Sequence, residues 1–323
     1  MRHAYALLYG IGISLTMLFF HTINCASRLD SLKAFFGKMP YKEVMQKKYP
    51  LDSHGTLTLN NFDGNISVTT HAHNVVHIIA TKSSNKLHML PELQVREKVT
   101  TTAQGQHCAL TISSTVLGEH SNTKIDYQLT IPQKTILNIS TDSGKIYVDQ
   151  ISAPTQLYTK IGSITIGSVS ERLTVSIEKQ GDIKIDSAFD QVHATTHYGN
   201  ITVKNLNHNL SASILERGNI LVTQSNICPT GHSNLTTKYG LITVFLPHNM
   251  DSSLNAKAMR GSVISDHIVT LSPLRTTLDK CAWDRFRQEV SGRIGSAKEH
   301  VPQLTLANEC GDIKIMKKLA DRH

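Results

Sequence analysis

Five sets of residues have types and spacings that could do chemistry. Asp182, Asp186 and Asp190 are spaced by four. Clustered carboxylates do acid–base work in polysaccharide-cleaving enzymes, where two must face each other within roughly 5–10 Å. His71, His73 and His77 fall on one side of a straight strand in "HAHNVVH", and the first two could chelate a metal. His193 and His197 stand close together in the same way. Cys108, Cys228, Cys281 and Cys310 follow the N-terminal segment, an even number that could form two disulfides in three connectivities. Lys160, Lys179, His197 and Lys238 each precede a glycine by two residues, a partial basic stripe that would face an anionic polymer.

Each set falls short of its own requirement. Asp182 aligns with Lys145, Ser163, Asn200 and Asn219 in neighbouring phrases, so no acidic column forms and the aspartates read as turn residues. The histidines have no cysteine or carboxylate ligand beside them, and the cysteines no C-x-x-C spacing. Asp142 and Glu216 interrupt the basic stripe. No G-x-S-x-G, P-loop or G-x-G-x-x-G motif occurs outside the N-terminal segment. No catalytic, cofactor-binding or metal-binding residue is assigned, no cofactor is expected, and the chain reads as a non-enzyme.

The elements that would carry these residues come from a repeat. Gly144, Gly162, Gly181, Gly199, Gly218, Gly240 and Gly261 are separated by steps of 18, 19, 18, 19, 22 and 21 residues. Two residues after each stands Ile146, Ile164, Ile183, Ile201, Ile220, Ile242 and Val263. Four after stands Val148, Ile166, Ile185, Val203, Val222, Val244 and Ser265. Polar or amphipathic residues lie between, which is the period-two signature of a strand with one face inward. A second half-strand precedes each glycine, as in "LTVSI" and "LSASI". Glycine at the corner between them can take positive φ. The unit is too long for simple hairpins, so the expected fold is all-β: a β-solenoid, a single-stranded β-helix-like stack of 18–22-residue rungs with an N-terminal β cap. A sheet of hairpins with glycine turns is the other reading. The same grammar recurs at Gly64 with Ile66 and Val68, and at Gly311 with Ile313 and Ile315.

Composition agrees with an exported β protein. Charged residues are 18%, aromatics 6%, and net charge is +8 without a run of lysines or arginines, which argues against specific nucleic-acid binding. Met1-Arg2-His3, the apolar run 4–20 and the small residues at Cys25, Ala26 and Ser27 read as an export signal over 1–26. An uncleaved anchor or lipidation at Cys25 are the alternatives, and the anchor would be the only membrane contact. Residues 27–54 read as a tether and 55–316 as the β-repeat domain. Within it, 55–135 are cap strands, 136–265 regular rungs, 266–290 an excursion and 291–316 a closing rung; 317–323 form a tail. Leu278, Ala282, Phe286 and Val290 could share a helix face in the excursion.

The phrases "GNISV", "IDYQLTIPQ", "TDSGKIYV" and the closing "SGRIGSAKEHVPQLTLANECGDIKI" resemble the bacterial putative-adhesin domain family over about residues 50 to 316. That resemblance implies an exported, envelope-associated β-repeat domain, and carries no catalytic residues. The expected role is binding, adhesion or scaffolding in the periplasm or at the cell surface of a bacterium, toward an envelope or host-surface anionic glycan. A polysaccharide-active enzyme and a self-assembling filament are the alternatives.

Overall fold

The computed structural model describes residues 40–102, 107–118, 122–226, 228, 231–272, 288–296 and 301–318. The expected export signal, Cys281 and most of the expected excursion lie outside them. Each repeat is two strands joined at a glycine, and nine such rungs stack into two facing sheets. In spatial order they are rung 1 (Thr56–Asp63 and Ile66–His71), rung 2 (Ile136–Ser143 and Ile146–Ile151), rung 3 (Thr155–Ile161 and Ile164–Val169) and rung 4 (Leu173–Gln180 and Ile183–Ala188). Then come rung 5 (Val192–Tyr198 and Ile201–Leu206), rung 6 (Leu210–Arg217 and Ile220–Gln224) and rung 7 (His232–Tyr239 and Ile242–Leu246). Rung 8 is Gln303–Cys310 with Ile313–Lys317, and rung 9 is Ser252–Arg260 with Val263–Ser265. The strands before the glycines build a 13-stranded sheet and those after them a 12-stranded sheet.

Pairing between rungs is parallel throughout, for example Ile164 beside Ile183 and Ile183 beside Ile201. This establishes the solenoid and excludes the hairpin sheet, whose neighbours would be antiparallel. Ile146, Ile164, Ile183, Ile201, Ile220, Ile242 and Ile313 are all buried, as are their partners four residues after the glycines from Val148 to Val244. Each contributes about 1.5–3 kcal/mol of burial. No rung can hide this face alone, so the stack is the folding unit.

The glycine corner sets the stack. Gly199 has φ of 133°, a region closed to side chains. A Cβ there would lie 2.0 Å from the carbonyl oxygen of Gly181 in the rung below. Gly311 repeats the arrangement over Gly240 at 1.8 Å. The column runs Gly64, Gly144, Gly162, Gly181, Gly199, Gly218, Gly240, Gly311, Gly261. Gly261, without the positive φ, still has its open side against the Gly311 carbonyl at 2.1 Å.

Two irregularities in the glycine spacing have structural causes. The 19-residue steps carry one extra residue just before the glycine, where the register slips at Glu178–Lys179 in rung 4 and Leu215–Glu216 in rung 6. The 22-residue step places its extra residues in the loop before His232.

Three boundaries differ from the sequence reading. Tyr41–Pro50, expected within the tether, is a ten-residue strand antiparallel to Val75–Ser84. Its inward positions are Met45, Lys47 and Tyr49, and the lysine breaks the apolar alternation that would have announced it. Residues 56–71, assigned to the cap, are a rung; the cap proper is Tyr41–Pro50, Val75–Ser84, Leu93–Thr101, His107–Val116 and Thr123–Pro132. The expected closing rung closes nothing: rung 8 lies between rungs 7 and 9, paired in parallel with both. Beyond rung 9 the 13-stranded sheet ends in Glu289–Ile294 and Val269–Leu271, both antiparallel. Val290, expected on a helix face, is part of that first strand.

Gly199→Ala should cost about 3 kcal/mol or more, from strain at positive φ plus the carbonyl clash. Urea unfolding checks this against Ser211→Ala on the outer face, expected within ~0.5 kcal/mol of the parent. Removing residues 301–323 should abolish hydrogen-exchange protection over 252–260 and 289–294 while 136–224 stay protected, because rung 9 then lacks its neighbour. Unchanged protection of 252–260 would mean rung 9 docks directly on rung 7.

Candidate functional site

The fixed register sorts outward side chains into columns. On the 13-stranded sheet one column reads Thr111, Thr58, Asn138, Gln156, Thr174, His193, Ser211, Asn234, Thr305. The neighbouring one reads Ser113, Asn60, Ser140, Tyr158, Ser176, Thr195, Ser213, Thr236, Ala307. Over eight strand spacings, about 38 Å, no Asp, Glu, Lys or Arg stands in either column. Short hydroxyl and amide side chains bond one another, as in Ser140 to Asn60 at 2.9 Å and Thr236 to Ser213 at 3.0 Å. Shallow grooves cross this face, one of about 230 Å³ over Asn60, Asn138, Gln156, Tyr158 and Ser176. Charges frame it: Arg96 and Lys98 beyond the N-terminal end, Lys257 beyond the other.

The basic stripe does not survive the register. The strand position of Lys160, Lys179, His197 and Lys238 also holds Asp142, Glu178, Glu216 and Glu309. Lys238 donates to both carboxylate oxygens of Glu216 at 3.0 and 3.1 Å. That hydrogen bond, then the Glu216 charge, holds the ammonium above its usual range. Glu178 accepts from the Tyr158 hydroxyl, which lifts that phenol to about 12. Counting back from glycine already places Asp142, Glu216 and Glu309 in this column, and the bulge of rung 4 adds Glu178 beside Lys179. An alternating column is a solvated edge and offers a polyanion no net field.

The carboxylates have structural partners. Asp182 is no idle turn residue: its Oδ1 accepts the Asn200 backbone N–H at 2.7 Å. Asn200 accepts from Asn219 N–H at 3.0 Å, and Asn219 from Leu241 N–H at 2.8 Å. Asp126, Asn65 and Asp312 do the same for Asn65, Lys145 and Ser262. At most corners, therefore, the backbone N–H of the residue after the glycine is satisfied by a side-chain oxygen of the neighbouring strand, Ser163 and Asp312 being the exceptions because Lys145 and Leu241 lie below them. Inside the corner Thr159, Thr196, Thr237 and Asn308 donate to glycine carbonyls. Rungs 4 and 6 place Ile177 and Ile214 there instead. Asp186 pairs with Lys204 at 2.8 Å and Asp190 approaches His208 at 4.0 Å, so the three aspartates serve three separate contacts. Asp63 is raised by burial beside Asp126, but Asp126 is itself held by Lys124 at 2.8 Å.

The histidines and cysteines fall as follows. His71 lies 5.6 Å from His73 and 5.8 Å from His77 between ring centres, and its Nδ1 accepts the His73 N–H at 2.9 Å. Among the described residues no group of three His, Cys, Asp or Glu is arranged to hold a metal. His193 faces Thr195 and His197 stacks toward Tyr198 at 5.4 Å, so the two do not converge. Cys108 is in the cap and Cys310 in rung 8, eight strands away, which excludes a bridge between them; both are free thiols. Cys228 sits in the loop after rung 6, joined to neither.

No protein-family model and no curated protein matches this chain. It is similar to a solved putative cell adhesion protein from Clostridium sporogenes, at 12% identity and TM-score 0.27, over 85% of this chain and 100% of that one. It is similar to a putative adhesin from Bacteroides fragilis, at 13% and 0.38, over 87% and 100%. A putative adhesin from Parabacteroides merdae gives 9% and 0.44, over 86% and 97%. At these values the fold rests on the strand pairing above.

A buried pair of hydroxyls ties the two sheets together in the cap. The Tyr127 and Ser114 hydroxyls meet at 2.7 Å in the core, and burial pushes the phenol up to about 12. Its ordinary value in an unfolded chain is about 10, so above pH 10 the folded state holds the proton longer. Stability is therefore intact below pH 10 and falls as pH rises toward 12, by ~3 kcal/mol from this group. Denaturation midpoints of the parent should show this loss relative to Tyr127→Phe, whose curve lacks that component.

Proposed function

We propose that this is an exported, non-enzymatic binding protein of a bacterial envelope or surface, whose 13-stranded sheet docks an extended neutral glycan. One observation carries the reading: two adjacent columns, of hydroxyl and amide side chains apart from His193 and Ala307, run about 38 Å without an aspartate, glutamate, lysine or arginine. Sugar hydroxyls need donors and acceptors at close spacing, and an uncharged face imposes no desolvation cost of buried ions. A pyranose chain advances by a distance close to the strand spacing of about 4.8 Å, so successive sugars can meet equivalent rungs. Many weak equivalent contacts then act together along one polymer. The opposite sheet lacks this uniformity: Lys184, Leu221 and Lys314 interrupt its corresponding column.

The test is affinity electrophoresis of the full chain against neutral and acidic polysaccharides. A neutral, linear glycan should retard the parent, and Ser176→Glu with Thr195→Glu should weaken retardation by at least ~10-fold. Thr165→Glu on the other sheet should leave it unchanged. Equal retardation of all three proteins, or retardation by acidic polymers alone, would overturn the assignment.

A further inference from the structure

The cap adds a second feature, on the opposite sheet. Where Tyr41–Pro50, Val75–Ser84, Thr123–Pro132 and Ile66–His71 lie side by side, their outer surface encloses a groove of about 510 Å³. Register aligns Lys48, His77, Thr130 and Thr69 in one row across the four strands. The next row is Gln46, Ile79, Gln128 and Ser67.

The chemistry of the two rows is asymmetric. The first offers an ammonium, an imidazole and two hydroxyls 3.2 Å apart. The second offers two carboxamides, a hydroxyl and one aliphatic floor residue. No carboxylate lines the groove. Among the described residues neither Lys48 nor His77 has an acidic partner within ion-pair distance, whereas the adjacent Lys47 is engaged by Glu97 at 2.6 Å. Asp126, further along the same face, is held by Lys124 and by the Asn65 N–H. His71, itself beside His73, packs edge-on against His77 with ring centres 5.8 Å apart. The groove thus joins one ammonium without a carboxylate partner and a titratable imidazole to neutral hydrogen-bonding groups.

We propose that this groove binds an acidic sugar unit, with Lys48 and His77 holding its oxyanion and Thr69, Thr130 and Gln128 its hydroxyls. Ile79 supplies the apolar surface against which a pyranose face can lie. The anionic partner expected of the glycine-corner stripe is assigned to the cap instead. The site stands apart from the neutral face, on the other sheet, and neither depends on the other. Partial burial in the groove, then Lys48, His71 and His73, depress the His77 pKa, so the ring is neutral at pH 7. An oxyanion favours its protonated form, so binding tightens as pH falls and takes up a proton.

Isothermal titration of the full chain with glucuronate, glucose 6-phosphate, glucose and inorganic phosphate, at about pH 5.5 and about pH 8, tests this. At least one acidic sugar should bind ~10-fold or more tightly than glucose and more tightly at the lower pH. Lys48→Gln and His77→Gln should each lose most of that advantage, His77→Gln also losing the pH dependence. Uronate and phosphosugar arms identify which oxyanion is preferred. Glucose binding as well as both acidic sugars, inorganic phosphate matching glucose 6-phosphate, or both variants behaving as the parent would overturn the proposal. Ser176→Glu with Thr195→Glu should leave these titrations unchanged.

Discussion

The structure depends on one contact: the carbonyl oxygen of each corner glycine lies where the Cβ of the next glycine would be. Only glycine permits that approach, and only at that spacing do the flanking strands meet their neighbours in register. The inward isoleucines, the buried threonines and the side-chain oxygens that satisfy corner N–H groups all follow from it. A one-residue slip would turn every inward side chain outward. Where a strand carries an extra residue, a bulge two to three positions before the glycine takes it up, so the slip is absorbed before the corner.

The same constraint makes a uniform surface available. Because every rung repeats its geometry, one outward position becomes a column some tens of ångströms long, and its chemistry is that of a single residue type repeated. The 13-stranded sheet uses this for Ser, Thr, Asn and Gln, and charge is left to the corner and the ends. The cap breaks the repeat with longer, partly antiparallel strands. Its irregular outer surface forms a basic groove where a regular stack offers only shallow ones.

Much of this was legible in the sequence, for a physical reason. Apolar residues at two and four positions after glycine report a local rule, period-two burial after a corner, and local rules are written in contiguous residues. The phrase at Gly64 shows the same rule, although the longer strand candidates that follow it draw it into the expected cap. The order of rungs was not, since Gly261 and Gly311 carry the same phrase and nothing local says which stacks on Gly240. Tyr41–Pro50 was hidden by Lys47 at an inward position, whose partner Glu97 comes from the other sheet. The basic stripe failed because acids share its position: Asp142 and Glu216 are visible by counting from glycine, whereas Glu178 enters only through the rung 4 bulge, of which the 19-residue step was the trace. The corner ladder also left a trace, Asn or Asp after Gly64, Gly181, Gly199, Gly218 and Gly311, which reads as ordinary turn chemistry until the rung below is known.

Thermal unfolding of two deletion variants tests the glycine register most directly. Removing residues 163–199 takes out 37 residues, one bulged and one unbulged rung, and joins Gly162 to Asn200 in phase. Removing 164–199 instead takes out 36 residues and leaves Ser163 before Asn200, so Ile201 falls three residues after Gly162 and the extra residue lies beyond the corner, where no bulge takes it up. The account predicts that the first variant unfolds cooperatively from a β-rich state and that the second has no cooperative transition. If the two melt alike, the glycine contact does not set the register.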